Sequence, residues 1–362
     1  PRLSRAPRAM TACGVSSSPR RFDYWPSGRA VPEVIIVGAG PVGTLLAAEL
    51  ARYRVDVALL DQRASTSGGT RAIGIHPPVL TALEAGGATE RILSDALRVG
   101  RGEARTADDL IGVVQFDRLH GRHPYIATLP QERTLAALSH GAPPPQHGVA
   151  VTRIRSSGDV VQVEGIAGGS DAEWTAPLVV VAGGASARSL LYRDPDARVR
   201  SYVDRYLMSD VSLDSVDRDS PHAEAPVARV HLTPDGVLES FPLPPSEGRL
   251  RRRFVAWSSA RSPAGAADAP ARVAALQRSL ERRGAASAAS AVTEATAFGI
   301  RRFVAPQLRH GRIFAIGDTA HEVSPIGGQG MNLGLLDAAT LAPLLAQWMR
   351  TGTAPDQALD SW

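Results

Sequence analysis

Val34-Ile35-Ile36-Val37-Gly38-Ala39-Gly40-Pro41-Val42-Gly43 decides the fold of this chain. The apolar run, rich in β-branched side chains, predicts a strand buried on both faces, and the glycines turn the chain into a helix starting near Pro41. Gly38 permits the tight turn, Gly40 lets backbone N–H groups approach a pyrophosphate, and Gly43 lets helix and strand pack closely. The helix N-terminus then faces the anion. Thr44 to Arg52 keeps an apolar face in Leu45, Leu46, Ala48 and Leu50, and Val55-Asp56-Val57-Ala58-Leu59-Leu60 predicts a second strand closed by Asp61. A carboxylate about 20 residues beyond the glycines suits the two hydroxyls of an adenosine ribose. The order strand, turn, helix, strand, acid thus implies an adenine dinucleotide; which one is left open.

Composition excludes several other classes. The 362 residues, 44% hydrophobic, suffice for two domains of a globular protein. The formal charge is +4, but acids are nearly as numerous as arginines and the arginines are scattered, so nucleic acid is not indicated. The chain has no Lys, and Asn332 is its single Asn, as a GC-rich coding bias would produce. Cys13 is the sole cysteine, which rules out an internal disulfide and a multi-Cys metal site and fits a reducing, cytoplasmic setting. No metal is expected. Apolar runs are far shorter than a bilayer span and no signal-peptide core appears.

Residues 1–32 carry Arg, Ser and Pro without apolar periodicity and predict an N-terminal extension, either an upstream segment or an acid-poor, transit-like leader; Met10 is a candidate start. A helix is expected around Pro78 to Ala85, a small β excursion between Leu97 and Ile126, and a short helix from Gln131 through Leu138. Val149 to Ile154 and Val160 to Glu164 predict a hairpin. Leu178-Val179-Val180-Val181-Ala182 predicts another buried strand ending at Gly183-Gly184. From about Tyr202 to Thr293 the texture changes to an antiparallel meander, with Val227 to Leu232, the turn Thr233-Pro234-Asp235-Gly236, Val237 to Leu243 and Leu250 to Trp257. A helix follows, capped by Asp268 and ended by Gly284.

The tail is the second informative stretch. Arg312-Ile313-Phe314-Ala315-Ile316 predicts a strand ended by Gly317-Asp318, and Gly327-Gly328-Gln329-Gly330-Met331-Asn332 leads into a long helix with a kink expected at Pro343. Asp318 is placed to accept hydrogen bonds from a polyol chain. The glycines would point N–H groups and the positive helix end at an isoalloxazine ring, where reduction places negative charge.

These motifs, above all Gly317-Asp318-Thr319-Ala320-His321 and Pro325-Ile326-Gly327-Gly328-Gln329-Gly330-Met331-Asn332, resemble the class A flavoprotein monooxygenases, the FAD-dependent aromatic hydroxylases similar to para-hydroxybenzoate hydroxylase. Pro325 to Asp337 looks most like the branch of ubiquinone-pathway and polyketide-tailoring hydroxylases. The resemblance implies an α/β fold, with a Rossmann-like FAD-binding domain (33–96, 127–200 and 296–362) and a β-meander substrate or cap domain (97–126 and 201–295). It assigns Gly38, Gly40, Pro41, Val42, Gly43, Asp61 and Gln62 to the nucleotide end of FAD, Arg71 and Gln131 to the flavin or diphosphate, and Gly183, Gly317 and Asp318 to the middle of the cofactor. Pro325, Gly327, Gly328, Gln329, Gly330, Met331 and Asn332 would lie along the isoalloxazine. For Arg71, a solvated surface arginine is the other reading.

In such enzymes NADPH or NADH reduces FAD, and a flavin C4a-hydroperoxide then hydroxylates or epoxidises an activated ring, here a lipophilic aromatic or polyketide-like small molecule. The protein positions the ring and excludes water. No catalytic dyad is expected; His321 and Pro325 are the flavin-proximal candidates, with a satisfied structural histidine as the other reading of His321. His76, Tyr206, His231, Phe241 and Trp257 are candidate substrate residues, with core or surface roles as their alternatives. One departure stands out. The family's Asp-Gly pair after the third strand is Gly183-Gly184 here, so the carboxylate that contacts the diphosphate and the nicotinamide cofactor is missing. Either Gly183 preserves the turn and FAD still binds through its other contacts, or reduction by NAD(P)H is impaired or altered. Alternatives of the same fold are a dehydrogenase or a cyclase, and a flavin-binding or interaction protein with impaired reduction, for which Gly183 is the sequence hint. No halogenase-type Trp-x-Trp-x-x-Ile occurs, the family's occasional thioredoxin-like appendage is not expected after Trp362, and a monomer or homodimer is expected.

Overall fold

The computed structural model describes residues 31–65, 72–106, 109–194, 198–213, 226–234, 236–258 and 268–362. Arg71, the N-terminal extension up to residue 30 and Asp235 of the expected turn lie outside these residues.

Val34–Val37 runs through the middle of a six-stranded sheet, parallel to Leu178–Val181 on one side and to Val57–Asp61 on the other. Ile313–Ala315 extends it beyond Leu178–Val181. Every residue of the three longer strands is buried, which is why they read as continuous apolar runs rather than alternating ones. Val34, Ile36, Leu59, Val180 and Phe314 share one core with the helices Pro41–Arg52 and Gln329–Thr351. Ile35, Val37, Leu60, Val179 and Val181 share another with Val161, Val163 and Trp174 of a three-stranded antiparallel sheet. That small sheet contains the expected hairpin plus Ser170–Ala176. Each fully buried Ile or Leu contributes about 1.5–3 kcal/mol; an Asp at Val180 would bury an unpaired charge among them.

The tail helix continues through Pro343 to Thr351 and stops at Gly352, whose φ of 71° gives the left-handed cap. Pro343 removes one backbone donor, but Leu341, Ala342 and Leu345 around it are fully buried. Packing outweighs the missing bond.

Eight further strands form one sheet, in the order His321–Glu322, Thr296–Val304, Arg200–Leu213, Arg249–Ser258, Gly236–Ser246, Val227–Thr233, Arg101–Arg105, Leu110–Gln115. The meander is present, but the sheet is wider than the sequence predicts. Thr296–Val304 pairs with Arg200–Leu213, so a division at residue 295 separates two hydrogen-bonded strands. At the other end, Leu97–Val99 pairs with Ile126–Thr128 in a small sheet with Gly74–Ile75, while Arg101–Arg105 joins the large one.

Register separates the faces of the large sheet. Leu207, Val211, Leu238, Phe254 and Ala256 pack against the helices Ala269–Glu281 and Ala286–Ser290. The first of these helices is capped as expected, Asp268 Oδ1 accepting the Ala271 N–H at 3.0 Å. The residues between them in sequence, including Tyr206, Met208, Glu239, Phe241 and Val255, point the opposite way, toward the nucleotide-binding half.

Candidate active site

A cleft of about 590 Å³ runs along the C-terminal ends of the parallel strands, lined by Gly38, Gly40, Pro41, Val42, Asp61, Gln62, Gln131, Gly183, Gly317, Asp318, Gly330 and Met331 among others. This is where an open parallel sheet binds its ligand. The glycines divide by function. A Cβ on Gly43 would stand 1.9 Å from the Gly38 carbonyl oxygen, and one on Gly38, whose φ is +112°, would stand 2.6 Å from the Ala182 oxygen; both are demanded by packing. A Cβ on Gly40 would meet nothing within 4 Å. Gly40 therefore leaves open the space in front of the Pro41–Arg52 helix, whose free N–H groups and positive end suit a diphosphate.

Asp61 lies at the far end of this cleft. Its Oδ2 accepts the Ala39 N–H at 2.6 Å and an Arg63 N–H at 2.7 Å, and its Oδ1 accepts Arg63 Nε–H at 2.9 Å. Burial disfavours the carboxylate, but these hydrogen bonds outweigh it and hold Asp61 below the usual range. The Arg63 side chain is 43% exposed, so its fork can swing off and free the carboxylate for a ribose. Sequence reading missed Arg63; its only signal was a cation two residues after the acid.

At the start of the tail helix Gly327 and Gly328 both have left-handed φ, 73° and 66°. Asn332, 3% exposed, lines neither the cleft nor the cavities. Its Nδ2 donates to the carbonyls of Gly74 and Gly328, and its Oδ1 accepts the His76 N–H, each at 2.8 Å. It positions the glycine turn against the segment that carries His76. His321 Nε2 bonds Asp337 Oδ2 at 2.6 Å, and the same oxygen accepts the Gly317 N–H at 2.9 Å. Burial opposes the imidazolium, but Asp337, with Asp318 nearby, raises the His321 pKa overall. His321 thus braces the turn at Gly317 behind the cleft.

Between the glycine turn and the large sheet lies a narrow, mostly apolar cavity of about 90 Å³ lined by Pro325, Gly327, Gly328, His76, Tyr206, Phe241, Phe298 and Glu239 among others. A wider cavity of about 700 Å³ adjoins it, sharing His76, Glu239, Phe241 and Gly327 and reaching Gln329. Of the candidate substrate residues, His76, Tyr206 and Phe241 are brought together here. His231 and Trp257 line neither. His231 is paired with Leu238 in register, and burial together with Arg283, Arg105 and Arg229 lowers its pKa to about 4. Trp257 covers Gly236 at the sheet's end, within 2.2 Å of where a Cβ would be.

Sequence reading missed Glu239. Burial pushes its pKa up to about 7, opposed by a hydrogen bond from the Gly327 amide. Burial likewise lowers the pKa of His76, opposed by a bond to the Gly327 backbone.

Asp61, Gly40, Asp318, Gly330 and Met331, all expected at the cofactor, line this one cleft, while Gly327 and Gly328 line the neighbouring cavity. Comparison with known proteins agrees. Residues 32–362 match the profile of the FAD binding domain family. The chain is 34% identical over 348 residues to 6-methylpretetramide 4-monooxygenase of Streptomyces rimosus, covering 91% of this chain and 58% of that protein. It is 29% identical to an uncharacterized aromatic compound monooxygenase of Bacillus subtilis, covering 91% and 64%. The chain therefore spans roughly three fifths of the length of these relatives. The crystal structure of p-nitrophenol 4-monooxygenase from Pseudomonas putida superposes with a TM-score of 0.76 at 24% identity, covering 91% of this chain and 83% of that one, and shares its fold. On its cradle, its tail turn and a match over nearly its whole described length, the chain belongs to the FAD binding domain family.

Proposed function

We propose that this chain carries the FAD and substrate sites of a monooxygenase that uses NADPH or NADH and O2 to hydroxylate or epoxidise a lipophilic aromatic or polyketide-like small molecule. The observation that carries the reading is the apolar cavity enclosed between the glycine turn of the tail helix and the inner face of the large sheet. Bound FAD supplies the redox chemistry. The chain supplies the rest: Gly40 and the Pro41–Arg52 helix hold the diphosphate, Asp61 the ribose, and Asp318 the ribityl chain. The N–H groups around Gly328 and Gly330 hold the ring edge where negative charge develops on reduction. Pro325, Phe241 and Phe298 keep water from the reacting ring. That the S. rimosus relative is a monooxygenase named for 6-methylpretetramide supports a small-molecule substrate, and the wider adjoining cavity has room for one.

One observation favours a second reading, in which the flavin is held but reduced poorly. Gly183 lines the cleft without the carboxylate that the resemblance leads one to expect there. Anaerobic stopped-flow absorbance of the FAD-loaded protein, mixed with NADPH or NADH with and without a panel of phenols, separates the two. Bleaching of the flavin band accelerated by a phenol supports the monooxygenase; a bound flavin that neither nucleotide bleaches supports the second reading. A protein that retains no FAD refutes both.

A further inference from the structure

Glu239 is a carboxylate that the fold buries on the cavity side of a strand. It is 3% exposed and lines both the narrow cavity and the wider one. Its strand neighbour on that face, Phe241, is apolar, so the slot invites an apolar side chain. Arg253, paired with Phe241 on the neighbouring strand, forks onto Asp210 at 2.6 and 2.8 Å. Its described polar partner is the Gly327 amide, which uses one of about four acceptor sites on a carboxylate. A buried carboxylate with so little compensation lowers stability, and the remaining acceptor sites adjoin space large enough for a ring.

We propose that Glu239 recognises the substrate by accepting a hydrogen bond from a phenolic or enolic O–H on the ring to be oxidised, which restricts the substrate class to hydroxylated aromatic and polyketide rings. This rests on the monooxygenase reading. As electron density leaves the ring, the hydroxyl proton passes to Glu239: the O–H bond breaks, its electron pair stays on the ring oxygen, and the carboxylate becomes a carboxylic acid. Burial raises the affinity of Glu239 for that proton. The titratable and charged groups around it are His76 from the start of its helix, Tyr206 from the neighbouring strand, the Arg253–Asp210 pair, and Glu103, held by Arg229 and Arg105. Farther out in the wider cavity are His120 and His123. Tyr206 senses Glu239 directly: burial first, then the charges of Glu239 and Asp204, raise its pKa.

The test compares binding of 2-naphthol and 2-methoxynaphthalene, which differ in the hydroxyl donor, to FAD-loaded protein by perturbation of the flavin spectrum. At about pH 8.5, with Glu239 mostly ionised, the parent should prefer the naphthol by at least about tenfold, the worth of one hydrogen bond to a charged group. The preference should shrink at about pH 5.5, where a protonated Glu239 donates to either oxygen. Glu239→Gln should weaken the preference and Glu239→Leu abolish it, both retaining FAD. An unchanged preference in Glu239→Leu, or failure of the parent to bind the naphthol, overturns the inference. FAD retention and reduction are read in the same samples, so loss of either in the parent counts against the monooxygenase reading instead.

Discussion

Asn332→Ala should loosen the candidate site, although Asn332 itself lines neither the cleft nor the cavities. The Asn332 amide closes three hydrogen bonds, accepting from His76 N and donating to the Gly74 and Gly328 carbonyls. Its orientation is fixed because the amide N–H of His76 can only donate and the two carbonyls can only accept. Alanine leaves three main-chain groups in a buried site without that partner, at about 1 kcal/mol each and so about 3 kcal/mol together. For a chain of this size that is a drop of roughly 4 °C in melting temperature. Because Gly328 forms the turn and His76 lines the cavity, the FAD-loaded variant should also release flavin more readily than the parent. Asn332→Asp sharpens the test. It keeps the acceptor for His76 but turns both donor contacts into oxygen–oxygen repulsions, so at about pH 8 it should be less stable than the alanine variant, and the gap should close toward pH 5 as the buried acid protonates. The assay is thermal unfolding followed by flavin fluorescence. An alanine variant that melts with the parent and keeps its flavin would refute the reasoning.

Gly40→Ala and Gly43→Ala should separate binding from packing. Gly40 has φ −75° and open space where a Cβ would go, so its alanine variant should melt with the FAD-free parent yet hold FAD weakly in equilibrium dialysis. Gly43→Ala, with its Cβ 1.9 Å from the Gly38 oxygen, should give little folded protein in circular dichroism. Gly183→Asp should not simply restore a missing contact, since its Cβ would lie 2.6 Å from that of Ala187, well inside the usual 3.5–4.0 Å. A cost of about 1–3 kcal/mol is expected in denaturant unfolding, relieved by adding Ala187→Gly; only in that double variant is flavin reduction by NAD(P)H a fair measure of the carboxylate. His321 has a raised pKa through Asp337, so its contribution to stability is complete below the ordinary value of 6.5 and is lost as pH rises through the folded value. Urea midpoints of Asp337→Asn should accordingly fall less steeply than those of the parent as pH rises from about 6.

What the sequence revealed and what it hid follow one physical distinction. Gly38, Gly43 and the Gly327-Gly328 turn are legible because their requirement is local: a positive φ or a close backbone approach is imposed by residues adjacent in the chain or in a fixed strand-to-helix unit. The buried parallel strands are legible for the same reason, since burial on both faces leaves no alternation to misread. The large sheet is harder. Arg200–Leu213 sets Leu207, Val211 and Leu213 against the helices and Tyr206, Met208 and Asp210 toward the flavin half, so apolar and polar residues occur on both faces and the period-2 signal cancels. Side-chain type alone then cannot say which aromatic or acid reaches the cavity. Pairing can: Glu239 opposite Val255 and Phe241 opposite Arg253 fall on the inner face, while His231 opposite Leu238 falls on the outer one. A residue list chosen for chemistry therefore contained His231 and omitted Glu239, although Glu239 lies two positions from Phe241 and must share its face. The acid in an otherwise apolar alternation was the signal, and it becomes visible once one residue of the strand has been placed.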